Sequence, residues 1–273
     1  MSRAIDLESE FAPSGTIALL TDFGHADPYV GQMKAVLLAR FPDARVVDLA
    51  HGVPPQDVRV GAFFLARSRA YFAPGAVFVA VVDPGVGSAR RFLAGLEGGR
   101  LYLAPDNGLL PAALGPAARW FELDPERASL PSRSRTFHGR DVFAPAAAEL
   151  ARGAPVSALL RPLEGAPVAG APVRARVRAD GAIEAEVLVV DHYGNLVTTA
   201  EPADLSGGLG AWRAEAAGST LRFVETYSDV RSGEACALVD SFGSIELAVR
   251  DGSAAAALGL GRGSTVVFRR NPC

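Results

Sequence analysis

The chain has 273 residues, of which 49% are hydrophobic and 21% charged, and its formal net charge is −3. This length predicts two domains with enough apolar material for a core. The slight acidic excess argues against a nucleic-acid-binding protein, because such domains carry a basic excess.

The chain begins with a polar, acidic segment at 1–14, which lacks the apolar core of a signal peptide and is expected to be disordered. The longest apolar run, 76–82, is far too short to cross a membrane. These features predict a cytoplasmic protein with no membrane partner. The two cysteines, Cys236 and Cys273, have no CxxC spacing and form one pair at most, so neither a disulfide framework nor a structural zinc site is indicated.

Strand-like and helix-like segments alternate in the first part of the chain. Apolar runs at 16–21, 45–49 and 76–82 predict strands, and 29–40 and 58–72 carry helical spacing. The uniform apolarity of 76–82 is typical of a parallel strand covered on both faces. The alternation predicts a doubly wound, mostly parallel α/β domain of the Rossmann-like type.

The remaining part of this domain is predicted from turns and caps. Gly98 and Gly99 join two strand-like runs into a hairpin, a short helix begins near Asn107, and 141–152 is helical. The Pro-, Gly- and Ala-rich stretch 161–173 is the best linker candidate. We therefore predict an α/β domain over 1–165 and a second domain over 166–273.

Short strand-like runs separated by turns follow the predicted linker. The turns are HYGN, SFGS and RDGS. This pattern predicts a small all-β barrel or sandwich. The predicted strands are 182–190, 196–199, 220–224, 234–239, 244–249 and 264–269.

Two acidic residues directly follow predicted parallel strands. Asp22 comes after TIALLT, and Asp83 comes after AVFVAVV. Ligands bind beyond the carboxyl ends of such strands, so two acids at equivalent positions favour a ligand site. Either residue alone is as readily a turn or helix cap. The PGVG loop after Asp83 lacks the features of a phosphate-binding loop.

Three other polar clusters remain open between structural and functional roles. His138 in TFHGRD is either a structural hydrogen-bonding residue or a catalyst, and Asp141 has a role available as an N-cap. The turn with Asp191, Tyr193 and Asn195 is either a plain hairpin or a ligand contact. The same alternatives hold for the DSFGS turn.

Seven segments resemble, in family order, those of the S-adenosyl-L-methionine (SAM) hydroxide adenosyltransferases, relatives of the fluorinating and chlorinating enzymes. They cover nearly the whole chain, which makes the resemblance specific. The segments are LLTDFGHADPYVGQMKA, VDLAHGVPPQDVRVGAFFL, FVAVVDPGVGSARR, YLAPDNGLL, TFHGRDVFAPAAAELA, VDHYGNLVT and LVDSFGSIELAVRDGSA.

The resemblance implies an enzyme that cleaves SAM with water at the ribose C5′ atom, giving adenosine and L-methionine. The (R)-sulfonium epimer is the candidate for a preferred substrate. The resemblance further implies no cofactor, no nucleic-acid partner, and a homotrimer whose sites lie between the α/β domain of one subunit and the β domain of the next.

The family's catalytic trio corresponds to Asp83, Arg90 and His138. Because the sulfonium leaves as a neutral thioether, the task of the enzyme is to deliver water in line to C5′. We hypothesise that Asp83 and His138 hold this water and that Arg90 fixes Asp83. This chemistry needs no metal, and the residue that finally takes the proton is left open.

The resemblance also implies a set of substrate contacts. An acid like Asp22 holds the ribose hydroxyls, the turn with Asp191 and Asn195 binds the methionine amine and the adenine, Tyr227 covers the ligand, and Ser241 contacts the carboxylate. The complete implied set is Asp22, Asp191, Tyr193, Asn195, Tyr227, Ser241, Phe242, Glu246 and Val249.

Two rival functions are weighed against hydrolysis. Halogenases of this family carry an uncharged residue in place of Asp83, because a carboxylate repels halide, and the fluorinating type has an extra loop where this chain has a bare hairpin. A non-catalytic adenosine- or SAM-binding protein needs the ligand contacts but not the trio. One departure from the fluorinating enzyme is Gln56, which stands where that enzyme has an aromatic beside the ligand.

Overall fold

The computed structural model describes residues 10–171 and 173–272. The chain divides into two compact units, with the boundary at residue 172. Residues 1–9 of the predicted N-terminal tail lie outside the described residues, as does Cys273. Phe11, in contrast, is 3% exposed and packs into the core of the first unit. The predicted disordered segment is therefore ordered from residue 10 onward.

Within the described residues, a seven-stranded sheet forms the centre of the first unit and has the order β2-β1-β3-β5-β4-β6-β7. The pairings from β2 to β5 are parallel and those from β5 to β7 are antiparallel. The α/β class is confirmed, and the sheet is mixed. The strands are β1 (Thr16–Thr21), β2 (Arg45–Ala50), β3 (Val77–Val81), β4 (Phe92–Glu97), β5 (Arg100–Pro105), β6 (Arg119–Leu123) and β7 (Leu160–Pro162).

Helices cover both faces of this sheet. Along β3, Val77, Val79 and Val81 belong to the core cluster that includes Met33 of α1 and most of α5. Val82 points the other way, towards Gly61 of α2. The uniform burial of β3 thus results from helices on both faces of the sheet, as its uniformly apolar sequence predicts. The helices are α1 (Tyr29–Arg40), α2 (Val58–Ser68), α3 (Leu109–Ala113), α4 (Pro125–Ala128), α5 (Ala144–Ala151) and α6 (Val156–Leu159).

The predicted helix at 141–152 begins earlier, with the π-helical turn Gly139–Phe143 that continues into α5. The expected N-cap role of Asp141 is wrong. Its side chain is fully buried and accepts hydrogen bonds from Arg140 Nε at 2.6 Å and from the backbone N–H of Ser134 at 2.7 Å. Asp141 therefore ties the preceding loop to the turn that carries His138.

The segment at 161–173 is not a free linker in its first half. Leu160–Pro162 forms β7, and the Arg91 guanidinium donates to the carbonyl oxygens of Glu164 (2.8 Å) and Ala166 (2.7 Å). Asp106 accepts from Arg91 Nε and from the backbone N–H of Val168, both at 2.8 Å. The chain leaves the first unit only after these contacts, beyond the predicted boundary at 165/166.

The second unit is a nearly closed antiparallel barrel. Its strands have the order β12-β11-β15-β9-β10-β14-β13, and β8 pairs with β9. A bridge between Phe223 and Ala237 joins the two ends of this order. Among residues 10–171 and 173–272, no helix is long and apolar enough to span a bilayer. The elements are β8 (Arg176–Val177), β9 (Ile183–Val190), β10 (Leu196–Thr198), β11 (Trp212–Ala216), β12 (Ser219–Arg222), β13 (Ala235–Val239), β14 (Ile245–Val249), α7 (Ala254–Leu258) and β15 (Thr265–Arg270).

Candidate active site

The loop after β3 brings Arg90 back over Asp83. Backbone hydrogen bonds from Val86 to Asp83 (3.3 Å) and from Ser88 to Gly85 (3.1 Å) fold residues 83–88 into consecutive turns. Gly87 has φ +84°, and a Cβ there would lie 2.9 Å from the carbonyl oxygen of Arg135, so the turn requires glycine. The PGVG sequence therefore sets the return path of the chain.

Asp83, Arg90 and His138 form one hydrogen-bonded group at the carboxyl end of β3. Arg90 Nε donates to Asp83 Oδ1 at 2.7 Å, and Arg90 Nη2 donates to Asp83 Oδ2. The same Nη2 lies 3.0 Å from His138 Nδ1. The side chains of Asp83 and Arg90 are only 4% and 8% exposed. The structure thus brings together the three residues of the predicted trio.

The contact with Arg90 assigns the tautomer of His138. A guanidinium only donates hydrogen bonds, so Nδ1 of His138 accepts one and the ring proton resides on Nε2. Burial lowers the pKa of His138, and the positive charge of Arg90 lowers it further, against the opposing effect of Asp83. His138 is therefore neutral near pH 7 and presents an N–H donor at Nε2.

Phe92 forms a wall of this group. Its ring centre lies 5.2 Å from that of His138, in an edge-on arrangement, and 5.2 Å from Cζ of Arg90. The ring face attracts the guanidinium by a cation–π interaction. Sequence reasoning missed Phe92. The available signal was its position at the start of β4, two residues after Arg90.

Asp22 lies at the end of the neighbouring strand, since Thr21 of β1 pairs with Val81 of β3. Its Oδ2 atom accepts a hydrogen bond from the backbone N–H of Gln56 at 2.7 Å. Gln56 has φ +66°, an unusual conformation for a residue with a side chain. The residue that departs from the fluorinating enzymes therefore holds Asp22 through its backbone.

In the second unit, one cavity of about 1090 Å³ lies at the turns between strands. All eight substrate-contact residues predicted for this domain line it. They are Asp191, Tyr193, Asn195, Tyr227, Ser241, Phe242, Glu246 and Val249.

Two turns with an aspartate at their first position shape the wall of this cavity. Asp191 Oδ1 accepts from the backbone N–H of Tyr193 (2.9 Å) and of Asn195 (2.8 Å), and Asp191 Oδ2 accepts from the Asn195 side-chain amide at 3.0 Å. Asp240 Oδ1 likewise accepts from the backbone N–H groups of Phe242 and Ser244. The hairpin role weighed for the first turn is therefore real, and it orients Asn195 at the cavity wall.

Glu246 carries a buried carboxyl group in the wall of the cavity. It is 2% exposed, and the Tyr227 hydroxyl donates to its Oε1 atom at 2.5 Å. Burial raises the pKa of Glu246 to about 7, with contributions from Asp240 and Asp191 and an opposing effect of the Tyr227 hydrogen bond. Burial and Glu246 in turn raise the pKa of Tyr227. Ionised Glu246 and its acidic neighbours suit a positively charged ligand.

Among the residues that the structure describes, no group of three or more His, Cys, Asp and Glu side chains is placed to hold a metal ion. One further buried histidine, His51, was missed by sequence reasoning. It follows β2 in the way that Asp22 follows β1, so the same strand-end rule would have found it.

The sequence matches two family models in the order of the two units. Residues 17–160 match the SAM hydroxide adenosyltransferase N-terminal domain, and residues 185–267 match the corresponding C-terminal domain. The chain belongs to the SAM hydroxide adenosyltransferase family. The resemblance inferred from the seven sequence segments is thereby confirmed.

Several known proteins are similar to this chain over most of its length. A protein of Thermus thermophilus named (R)-S-adenosyl-L-methionine hydrolase is 44% identical over 259 residues, covering 92% of this chain and 98% of the relative. A fluorinase of Actinopolyspora mzabensis is more distant, at 28% identity over 71% of this chain and 74% of the relative. A crystal structure of an uncharacterized conserved protein from Thermotoga maritima has 31% identity and a TM-score of 0.80, covering 93% of this chain and all of the other.

Proposed function

We propose that the protein is a hydrolase of (R)-S-adenosyl-L-methionine that forms adenosine and L-methionine. The observation that carries the proposal is the group formed by Asp83, Arg90 and His138 at the carboxyl end of β3. Relatives of similar length carry the corresponding name.

The reaction is a substitution at the 5′-carbon of the ribose. A bond forms between the water oxygen and C5′, and the bond from C5′ to sulfur breaks with its electron pair going to sulfur. Methionine leaves as a neutral thioether, and water gives up one proton. Since the leaving group is already good, positioning and deprotonating a weak nucleophile account for the enzyme's contribution.

The side chains of the trio have complementary roles towards that water. His138 presents an N–H at Nε2, because Nδ1 accepts from Arg90. Asp83 keeps lone pairs beyond the two that Arg90 uses. A water molecule that accepts from His138 and donates to Asp83 retains one lone pair for C5′. Asp83 is then the first acceptor of the proton, and Arg90 holds its carboxylate in place.

The other predicted residues suit the remaining parts of the substrate. We assign Asp22 to the ribose hydroxyls, and the turn with Asp191 and Asn195 to the methionine amine and the adenine. Tyr227 covers the ligand, and Ser241 contacts the carboxylate. The acidic cavity wall around Glu246 is complementary to a ligand that carries an ammonium and a sulfonium group.

Hydrolysis is favoured over the rival functions by one residue above all. Asp83 places a carboxylate where a halogenase would have to hold a halide, and a negative charge there repels the anion. A protein that only binds adenosine or SAM does not need Asp83, Arg90 and His138 in mutual contact.

The decisive experiment incubates purified protein with each sulfonium epimer in water enriched in ¹⁸O and analyses the products by liquid chromatography and mass spectrometry. We expect adenosine labelled at its 5′-oxygen, together with unlabelled methionine, and faster turnover of the (R) epimer. Formation of 5′-chloro-5′-deoxyadenosine in chloride buffer would favour the halogenase. No adenosine from either epimer would contradict the hydrolase proposal.

A homotrimer with sites shared between subunits is part of the proposal, and so is the cytoplasmic location. The family resemblance supports the trimer, and the predicted site residues fall in two separate units. Light scattering should give three times the mass of one chain. Mixing subunits of inactive Asp83→Asn and inactive Asn195→Ala should restore activity, because some sites would then combine two intact halves. Mixtures that stay inactive after subunit exchange would contradict shared sites.

A further inference from the structure

A second hydrogen-bonded group lies at the carboxyl edge of the sheet, formed by Lys34, Asp48, His51 and Thr21. Lys34 Nζ donates to Asp48 Oδ2 at 2.6 Å, and Asp48 Oδ1 lies 3.0 Å from His51 Nε2. His51 Nδ1 lies 2.8 Å from Thr21 Oγ1. Thr21 is fully buried and His51 is 2% exposed, so the inner half of this group is shielded from water.

With a neutral His51 ring, the donors and acceptors of this group fit only one arrangement. The Asp48 carboxylate only accepts, so His51 Nε2 carries the proton and His51 Nδ1 accepts the Thr21 hydroxyl. Thr21 Oγ1 in turn accepts the backbone N–H of Phe23 at 3.2 Å. Burial lowers the pKa of His51, against the opposing effect of Asp48, which keeps the ring in the neutral form that this arrangement requires.

The residues on both sides of Asp22 are held by this group and by the loop after β2, which contains His51 and Gln56. Thr21 and Phe23 are fixed through the Thr21 hydroxyl, and the backbone N–H of Gly24 donates to the His51 carbonyl oxygen at 2.8 Å. The same loop supplies the Gln56 N–H that binds the Asp22 carboxylate. The segment 21–24 therefore has little freedom to reorient the Asp22 side chain.

We propose that Thr21 and His51 are positioning residues that hold the Asp22 carboxylate in the orientation in which it binds ribose hydroxyls. This inference rests on the proposed function, in which Asp22 contacts the ribose. Thr21 and His51 are too buried to touch a substrate, so they act through Asp22. Asp48 and Lys34 anchor the group from the surface, where their side chains are 37% and 35% exposed.

The test measures the dissociation constants of adenosine and of 2′,3′-dideoxyadenosine by calorimetry. We expect Thr21→Val to weaken adenosine binding about tenfold, because a buried hydrogen bond that orients a ligand-binding carboxylate is lost. Binding of the dideoxynucleoside should not change, and Thr21→Ser should restore adenosine binding. In turnover assays, Thr21→Val should raise KM for SAM and leave kcat unchanged. Thr199→Val is the matched control, since Thr199 is also buried and its hydroxyl accepts a backbone N–H at 3.1 Å.

A double-mutant cycle with Asp22→Ala distinguishes positioning from a general loss of structure. If Thr21 acts through Asp22, Thr21→Val has no further effect on adenosine binding in the Asp22→Ala background. If Thr21→Val does not fold, Asp48→Ala replaces it, because that change releases His51 from the surface side. Three outcomes would overturn this inference and leave the proposed function intact. They are equal weakening of the binding of both nucleosides, additive effects in the double-mutant cycle, and unchanged adenosine binding in Thr21→Val. A wild-type chain that binds no adenosine would overturn the proposed function together with it.

Discussion

The Arg90 guanidinium donates a hydrogen bond through Nη2 to Nδ1 of His138 across 3.0 Å, while Nε and the same Nη2 also bind Asp83. A cation is thus paired with a ring that must stay neutral to accept the bond. The arrangement makes Arg90 the centre of the group and couples the charge of Asp83 to the tautomer of His138.

Replacing Arg90 by lysine should lower kcat strongly although the positive charge remains. A lysine ammonium is a point charge, and it does not reproduce the planar fork that reaches Asp83 and His138 together. We expect kcat to fall about a hundredfold, the lower end of what general acid–base catalysis contributes, because both Asp83 and His138 lose the group that orients them. Arg161→Lys is a matched control, because the Arg161 side chain is 63% exposed. Wild-type kcat in Arg90→Lys would show that the bidentate contact is not required.

The activity should decline on the acidic side, below the ordinary histidine pKa of about 6.5. Burial and Arg90 lower the pKa of His138, so protonation at Nδ1 occurs only at more acidic pH and then breaks the contact with Arg90. The pKa of His138 is lower in the folded protein than in the unfolded chain, so the unfolded chain takes up the proton first as the pH falls. The free energy of unfolding therefore also decreases as the pH drops below 6.5.

The imidazole resonances of His138 in an NMR titration check this prediction. In Arg90→Met the pKa of His138 should rise, because the opposing negative charge of Asp83 remains. A pKa of His138 at or above the ordinary value in the wild-type protein would contradict the assigned tautomer.

Substrate affinity should depend on the ionisation of Glu246, whose pKa is raised to about 7. The ionised carboxylate attracts a positively charged ligand, so the dissociation constant of SAM should fall as the pH rises through this value. The pKa of Glu246 is higher in the folded protein than in the unfolded chain. The contribution of protonated Glu246 to the free energy of unfolding is therefore lost as the pH rises through about 7. Calorimetry on the inactive Asp83→Asn variant measures affinity without turnover.

Two variants distinguish the effect of Glu246 on SAM affinity from the effects of other titrating groups. Tyr227→Phe removes a hydrogen bond that lowers the pKa of Glu246, so the change in affinity should move to higher pH. Glu246→Gln should abolish the pH dependence around 7. A Glu246→Gln profile identical to that of the wild type would assign the effect to another group.

Elements built from local patterns were predictable from the sequence, and elements built from distant pairings were not. The strand Thr16–Thr21 and the helix Tyr29–Arg40 agree with the prediction at both ends, because uniform apolarity and helical spacing are local signals. The strands Arg119–Leu123 and Leu160–Pro162 were missed. The second of these is an edge strand that contains proline, and its partner lies far away in sequence.

The candidate site shows the same division. The family resemblance named the trio, but Arg90 and His138 are 48 positions apart in sequence, which hides which of their atoms meet. The adjacent arginines illustrate this limit. Arg90 turns to Asp83 and Arg91 to Asp106, although the two residues are adjacent in sequence. No local signal distinguishes the two side chains.

The pair of Arg91 and Asp106 should stabilise the first unit and the segment that leaves it. The Asp106 side chain is 2% exposed, and Arg91→Met would leave this carboxylate with the backbone N–H of Val168 as its remaining described partner. Removing one partner of a largely buried ion pair is expected to cost about 2–4 kcal/mol of unfolding free energy. Arg161→Met, at an exposed ion pair, is the matched control and should leave the free energy of unfolding nearly unchanged.

Denaturant titrations and hydrogen exchange test this pair separately from catalysis. The midpoint of unfolding should fall in Arg91→Met, and the amide of Val168 should exchange faster, because the Arg91 bonds to Glu164 and Ala166 that hold the same segment are also lost. An unchanged midpoint together with a protected Val168 amide would contradict this prediction. It would mean that the close approach of Gly170 to α3 is enough to hold the segment without Arg91.

Gly170→Ala tests that second contact by itself. A Cβ at Gly170 would lie 2.5 Å from Cβ of Ala112, so the substitution should push the segment away from α3.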